Sequence, residues 1–244
     1  MEAWGLTDPG NIRNENQDSF RIEPLGQTAL LTVVCDGMGG ARSGSVASRL
    51  ACEVFSEEVK RSFSPEMTPQ EAERVIRSAA ALANISVFEH SQLSEEFNGM
   101  GTTLVACLLY PKGKLVLNVG DSRAYLVDSD GIRCITTDHS VVEMMVQRGE
   151  LTPEQAKTHP SKNLITRAIG TATQVTSDVF HIETEKNASI VLCSDGLSNE
   201  MADQEILFEV VHGVRKDDCC QRLLEIAKER GAPDNVTVVL ISLA

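Results

Sequence analysis

The chain predicts a mixed α+β fold built on antiparallel sheet. Three observations carry that expectation. Short apolar runs punctuated by Pro111-Lys112-Gly113, Gly120-Asp121 and Ser129-Asp130-Gly131 form a strand meander. Pairs of amphipathic helices stand before and after it. Across 244 residues there is neither a linker nor an internal repeat, so one domain over 1–244 is the simplest organisation.

The elements follow in order. Residues 2–8 and 17–23 read as short strands. The polar link between them, Gly10-Asn11-Ile12-Arg13-Asn14-Glu15-Asn16-Gln17-Asp18, is dense in groups that bind metal, water or phosphate, although alone it also reads as a solvated loop. The run 29–35 is apolar and β-branched, a buried strand, and it enters Asp36-Gly37-Met38-Gly39-Gly40, read as a tight turn. A carboxylate held at such a corner is costly unless positive charge compensates it. Glycines there let the backbone approach a bound group. Three uses of Asp36 compete. It can cap the turn or the next helix. It can belong to a dinucleotide-binding turn, but Arg42 stands where the third glycine is needed. Or it can ligate a hard divalent ion, which requires partner carboxylates elsewhere.

Val46, Ala47, Leu50, Ala51, Val54 and Phe55 recur at helical spacing. A second helix opens at Thr68-Pro69-Gln70-Glu71, where Thr68 is the N-cap and Glu71 can close a capping box. Its small-sided stripe, from Ala72 to Val87, suits close packing. Strands over 102–109, 114–119, 122–127 and 132–136 follow, leaving Asp121 exposed at a strand junction beside Arg123. Residues 137–175 are the least regular part, with a short helix over 141–148 and a second capping box at Thr152-Pro153-Glu154-Gln155. The weakly helical insertion 140–170 reads as a mobile lid. Strands resume over 175–182 and 189–193, the latter ending in Ser194-Asp195-Gly196. Helices over 203–212 and 216–230 follow, with Gly213 and Gly231 as left-handed stops. A Pro233-Asp234-Asn235 turn then leads into a closing strand, 236–243.

Bulk properties exclude several classes. A net charge of −13 and a pI near 4.8 argue against non-specific binding to nucleic acid or anionic membrane. No apolar run approaches the ~20 residues of a membrane span. Met1-Glu2-Ala3-Trp4 lacks the basic and apolar segments of a signal peptide, so a cytoplasmic location is expected. The seven cysteines form no C-x-x-C pair and the five histidines show no zinc spacing. Several of the cysteines sit inside apolar strand-like runs and read as buried free thiols, with Cys219-Cys220 serving helix packing.

Twice an apolar strand runs into Asp-Gly, at Asp36-Gly37 and, with Ser194 interposed, at Asp195-Gly196. Asp234 lies in a turn and Asp18 beside the second strand. Four aspartates at strand edges fit an oxygen-ligand site for Mg²⁺ or Mn²⁺. Periodicity does not show that they converge.

The ordered set Arg13-Asn14-Glu15-Asn16-Gln17-Asp18, Asp36-Gly37-Met38-Gly39-Gly40, Gly101-Thr102-Thr103, Gly120-Asp121-Ser122-Arg123, Asp138-His139-Ser140, Ser194-Asp195-Gly196 and Asp234-Asn235 resembles the metal-dependent Ser/Thr protein phosphatases (type 2C). The likeness is to their compact bacterial form, which opposes eukaryotic-like Ser/Thr kinases, and it runs from residue 5 to 243. It implies a four-layer α-β-β-α sandwich, two antiparallel sheets flanked by helix pairs, with two Mn²⁺ or Mg²⁺ ions in a cleft at one edge. By position, Asp36 would bridge both ions, the Gly37 carbonyl would hold one, and Asp195 and Asp234 the other. Asp18 and Gln17 would act through metal-bound waters, with Asn235 beside them. Asp121, with Asp195, would hold a third and weaker ion near the lid. Asp36 and Arg13 are the implied catalytic residues: metal-activated water or hydroxide attacks phosphorus without a phosphoenzyme, and the Arg13 fork binds the phosphoryl group. A surface ion pair to Glu15 or Asp18 is the alternative for Arg13. The implied partners are phosphorylated proteins, including a cognate Ser/Thr kinase, and not nucleic acid or membrane; the chain would act as a monomer.

Two positions depart from the eukaryotic pattern. Gln17 stands where many members carry Glu. Met38 stands where eukaryotic members place the His proposed as general acid, and a thioether donates no proton. His139 is a candidate donor only if it faces the cleft; otherwise it is a structural histidine tied to the meander. Two other readings remain at this point. A catalytically inactive phosphoprotein-binding regulatory module would lack metal aspartates, and all are present. A phosphotransferase that phosphorylates its own aspartate wants a second acid beside the nucleophile, which Gly37-Met38 does not offer.

Overall fold

A computed structural model describes residues 1–40, 43–184, 187–213 and 215–243. Arg42, which counted against a dinucleotide turn, lies outside the described residues. The chain begins with β1 (Glu2–Asp8), β2 (Asp18–Leu25) and β3 (Ala29–Met38), then the long helices α1 (Ser43–Ser62) and α2 (Pro69–Ser91). The meander comprises β4 (Gly101–Thr102), β5 (Leu104–Tyr110), β6 (Gly113–Val119), β7 (Arg123–Asp128) and β8 (Gly131–Cys134). After the short helices α3 (Val141–Gln147) and α4 (Pro153–Lys157) come β9 (Asp178–His181), β10 (Ser189–Cys193) and the single-turn α5 (Asp195–Ser198). Helices α6 (Asp203–His212) and α7 (Cys219–Glu229) precede β11 (Val236–Ser242).

The strands form two antiparallel sheets, ordered β1-β11-β10-β7-β8 and β2-β3-β5-β6-β9, with β4 paired to β3. Alternation along each strand divides the apolar residues between layers. In β3, Leu30 and Val34 join the layer between the sheets, with Val105, Leu126, Leu192 and Val239. Leu31, Val33 and Cys35 point the other way, into a layer closed by Phe55 of α1 and Ile76, Ala79 and Ala83 of α2. On the opposite outer face, Ile206 of α6 and Cys219, Cys220, Leu223 and Leu224 of α7 cover Tyr125, Val191 and Leu240. The result is the α-β-β-α sandwich. Both expected capping boxes form, Thr68 with Glu71 and Thr152 with Gln155.

Three expectations need correction. β3 does not end at Cys35: it continues through Asp36 to Met38, because β4 supplies ladder partners for Gly37 and Met38. Glycine at 37 serves close approach rather than a turn, since a Cβ there would meet the Gly44 carbonyl oxygen at 2.2 Å and that of Gln17 at 2.6 Å. Gly213 is no left-handed stop, having φ −58°. Its missing side chain makes room for the Arg222 guanidinium, which donates to the Glu209 carbonyl at the end of α6 (3.2 Å). Asp121 is half-buried, not exposed, because the turn that carries it folds under residues 138–140.

Candidate active site

The site begins with strand register. Asp18 of β2 stands directly opposite Asp36 of β3, so both carboxylates project from one face of the sheet. Like charges facing each other in this way repel. Asp18 is buried, and its Oδ2 accepts hydrogen bonds from Ser194 Oγ (2.7 Å) and Thr237 Oγ1 (2.6 Å). Its Oδ1 is also buried and has no partner among the protein's atoms. Burial, aided by the charges of Asp195 and Asp234, outweighs the two hydroxyls and pushes the Asp18 carboxyl up to about 7.

The peptide of Asp36 is clamped by the Gly-Thr-Thr motif. Its N–H donates to Thr103 Oγ1 (2.9 Å), and its carbonyl accepts from Thr102 Oγ1 (2.8 Å) and Thr103 N (2.9 Å). Thr103 Oγ1 in turn meets Ser122 Oγ at 2.7 Å, linking the clamp to the residue after Asp121. Burial and then the charges of Asp18, Asp195, Asp121 and Asp234 hold the Asp36 carboxyl well above the carboxylate range. Asp195 is raised by burial and by Asp234, against hydrogen bonds to Asp36 and Asn199. Asp121 is raised to about 7 by burial, then by Asp195 and Asp138.

Asp234 reaches this group because the backbone of its turn passes against α5. A Cβ on Gly196 would lie 2.0 Å from the Asn235 carbonyl oxygen, so only glycine permits that contact. Asn235 is buried and fully engaged. Its Oδ1 accepts from Gln17 N (2.7 Å), and its Nδ2 donates to the carbonyls of Pro9 (3.0 Å) and Glu15 (3.0 Å), tying the polar link 9–17 to the Asp234 turn. That link delivers Arg13, whose Nη2 donates to Asp234 Oδ2 at 2.8 Å with both side chains open to solvent (54% and 41% exposed). Arg13 therefore pairs with neither Glu15 nor Asp18. Gln17 directs its amide to the Gly40 carbonyl (3.2 Å), and its own carbonyl accepts from Gly37 N (3.1 Å).

Asp18, Asp36, Asp121, Asp195 and Asp234 thus share one cleft. Among the described residues, Arg13 is the one cation ion-paired with any of them. An all-oxygen donor set under mutual repulsion suits a hard divalent cation, and the unpartnered Oδ1 of Asp18 calls for a bound water or ion. No three His, Cys, Asp or Glu side chains among the described residues stand close enough to chelate an ion alone. Ions here would complete their shells with the Gly37 carbonyl and water, as Mg²⁺ commonly does. Beside Asp121 and Asp195, a cavity of ≈ 560 Å³ opens toward α3 and α4, with Arg123, Asp138, Lys157 and Lys162 in its walls.

His139 is not in the cleft. It is buried, and its Nδ1 accepts from Gly120 N at 3.1 Å, which assigns the ring proton to Nε2, 3.1 Å from Asp178 Oδ2. Its own N–H donates to the Gly120 carbonyl (2.9 Å), and its carbonyl accepts from Thr166 N (2.7 Å). Ring and main chain of His139 together brace the turn before Asp121 against Asp178 and the far end of the 140–170 insertion. His139→Gln should therefore lower kcat far less than the roughly 10²–10⁴-fold of lost acid–base catalysis, and equally for alkyl and aryl phosphates. A loss within that range confined to alkyl phosphates would make His139 the proton donor.

Sequence reasoning located the aspartates but assigned no role to Thr102, Thr103, Ser122, Ser194 or Thr237, whose hydroxyls hold them. The Gly-Thr-Thr, Gly-Asp-Ser-Arg and Ser-Asp-Gly motifs contained the first four without giving their roles, and Thr237 carried no signal.

The protein phosphatase 2C family model matches residues 12–234. The "Serine/threonine phosphatase stp" of Listeria innocua is 34% identical over 242 residues, covering 99% of this chain and 95% of its own. "Protein phosphatase PhpP" of Streptococcus pneumoniae is 33% identical over 245 residues, covering 100% of this chain and 98% of its own. The solved structure of the S. agalactiae serine/threonine phosphatase superposes with a TM-score of 0.93 at 32% identity, over 100% of this chain and 99% of that one.

Proposed function

The chain belongs to the protein phosphatase 2C family and is a metal-dependent protein-serine/threonine phosphatase acting on phosphoproteins, and on that premise we propose how its own residues perform the hydrolysis. Asp36, the Gly37 carbonyl, Asp195 and Asp234 would hold two Mn²⁺ or Mg²⁺ ions, and Asp121 with Asp195 would hold a third and weaker one. The observation that carries this reading is the convergence of five carboxylates on one cleft, in which the Oδ1 of Asp18 is buried and has no protein partner. Bound ions supply Lewis acidity, lowering the pKa of water and neutralising phosphoryl charge. Asp18 and Gln17 orient water in the cleft. Arg13 binds the phosphoryl oxygens, because its fork is more than half exposed at the mouth and already aimed at Asp234. Water attacks phosphorus directly, and water protonates the leaving oxygen, since Met38 cannot and His139 is committed to Asp178.

Residues 1–244 act as one catalytic domain, with 140–170 as a lid over the ≈ 560 Å³ cavity. Every proposed ligand comes from this chain, which supports a monomer. The relatives are named phosphatases and each ligand aspartate is in place, so the inactive binding module is set aside. We assign the enzyme to the cytoplasm, because all seven cysteines are free. A cognate Ser/Thr kinase is expected among its substrates. Its acidic surface disfavours nucleic acid and anionic membrane, and no helix among the described residues is long and apolar enough to cross a bilayer.

Hydrolysis of a phosphothreonine peptide should require Mn²⁺ or Mg²⁺ and stop in excess chelator; full activity with chelator would refute the metal assignment. Asp121→Ala should bind one weak Mn²⁺ fewer by calorimetry and hydrolyse phosphopeptides more slowly, with the two tight ions retained. Equal stoichiometry with unchanged turnover would leave Asp121 a turn residue.

A further inference from the structure

β1 is an open edge. It pairs with β11 on one side, and no main-chain hydrogen bond reaches it from any other described segment. Its side chains alternate between two layers. Gly5 lies against Phe20 and Thr7 bonds to Thr237, both between the sheets, whereas Trp4 and Leu6 pack on the α7 side, half-buried. Two hollows line that side. One, of ≈ 440 Å³, is bounded by Leu6, Asp8, Leu224, Glu225, Lys228 and Glu229; the next, of ≈ 600 Å³, by Glu2, Trp4, Lys216 and Ser242. Together they make a groove between the open edge of β1 and α7. It starts at the cleft: Asp8 pairs with Val236, two residues beyond Asp234, and the link carrying Arg13 leaves from the same end of β1.

Resting on the phosphoprotein-phosphatase reading, we propose that this groove binds the extended, basic segment flanking the phosphorylated residue of a protein substrate, as a strand added to β1. The unpaired main-chain groups supply the ladder, and Trp4 and Leu6 the apolar contacts. The seven residues of β1 offer an edge about 23 Å long. Charge selects the occupant. Lys228 is taken by Asp8 (2.8 Å), Arg215 pairs with Asp217, and Lys216 donates to Ser189 Oγ (2.8 Å). Glu2, Glu225 and Glu229 are exposed and have no ion pair among the described residues. Glu2, Asp8, Asp217, Glu225 and Glu229 outnumber Arg215, Lys216 and Lys228 along the groove, so its net charge is negative, which attracts Lys and Arg. It also disfavours a second copy of a chain with net charge −13.

The test uses a short phosphothreonine peptide and versions extended by seven residues with alternating Lys, on either the N-terminal or the C-terminal side. Two further versions carry Glu for Lys, or N-methylated alternate amides. One lysine extension should raise kcat/KM about tenfold, the scale of two exposed ion pairs with a few main-chain bonds, and Glu or N-methylation should cancel the gain. The double variant Glu225→Lys/Glu229→Lys, both sites exposed on α7, should lose the gain while its rates on the short peptide and on p-nitrophenyl phosphate stay at wild-type values. Trp4 is the chain's single tryptophan, so its emission should shift on titration with the extended peptide, which reads the groove without turnover. Hydrolysis of the short peptide by wild type checks the phosphatase reading separately. Equal rates for Lys and Glu extensions, unmoved Trp4 emission, or a dimer through β1 seen by sedimentation at assay concentrations would each overturn the proposal.

Discussion

Asp36→Asn should abolish turnover, by about 10³-fold or more, while making the metal-free protein more stable than wild type. The activity loss follows from the proposed role of Asp36 as a metal ligand: a metal's charge stabilisation is worth several kcal/mol, and each ~1.4 kcal/mol is a factor of ten. The stability gain follows from the geometry. Asp36 faces Asp18 across the strand pair and is surrounded by Asp195, Asp121 and Asp234, so its negative charge is resisted by burial and by four neighbours. An amide removes that charge. The sign of the pH dependence is fixed by the same shifts. Carboxyls raised in the folded state bind more protons folded than unfolded, so their contribution is complete below the ordinary carboxylate range and is lost as pH rises through their folded values. With Asp18 and Asp121 both near 7, the metal-free wild type should melt at progressively lower temperature between about pH 5 and pH 8. Asp36→Asn should show a shallower slope, and Mn²⁺ should flatten the wild-type curve by compensating the ionised forms. Thermal melts in chelator across that range decide it. A variant less stable than wild type with an unchanged slope would show that Asp36 is not under this repulsion.

The layers were legible because each strand and helix carries its pattern locally. Alternation in β3 and the capping boxes at Thr68 and Thr152 need only a few neighbouring residues to be read. The cleft was legible only as a set of aspartates and as an ordered series of family motifs. What joins the aspartates is non-local: the register that puts Asp18 opposite Asp36, and the contact of Gly196 with Asn235 across 39 positions. Glycine caused the main misreadings. A glycine required for a left-handed turn and one required because another backbone or a guanidinium lies against it look identical in sequence. Gly37 and Gly213 are of the second kind. The Gly-Thr-Thr motif marked the clamp on Asp36 without giving its role, since a hydroxyl aimed at a distant peptide group reads like any strand threonine.

Arg13→Ala should reduce kcat/KM for a phosphothreonine peptide by about 10- to 150-fold, the consequence of losing one charged hydrogen-bonding contact of ~1.5–3 kcal/mol. The loss should appear in kcat as well as KM, because negative charge on the transferring phosphoryl oxygens calls for an oriented donor in the transition state. Arg13→Lys should recover only part of it. Lysine keeps the charge but not the planar fork that can hold Asp234 through one nitrogen while offering others to phosphate. The Mn²⁺ requirement should scarcely move in either variant. The Arg13–Asp234 pair is open to solvent on both sides, and such pairs are worth little. Asp234 is held mainly by its turn, through its own Asn235 N–H (2.9 Å) and the Asn235 amide bonds to Pro9 and Glu15. Paired titrations of Mn²⁺ and of phosphopeptide against each variant separate the two roles. A large rise in the Mn²⁺ requirement with unchanged substrate dependence would move Arg13 from the phosphoryl group to the support of Asp234.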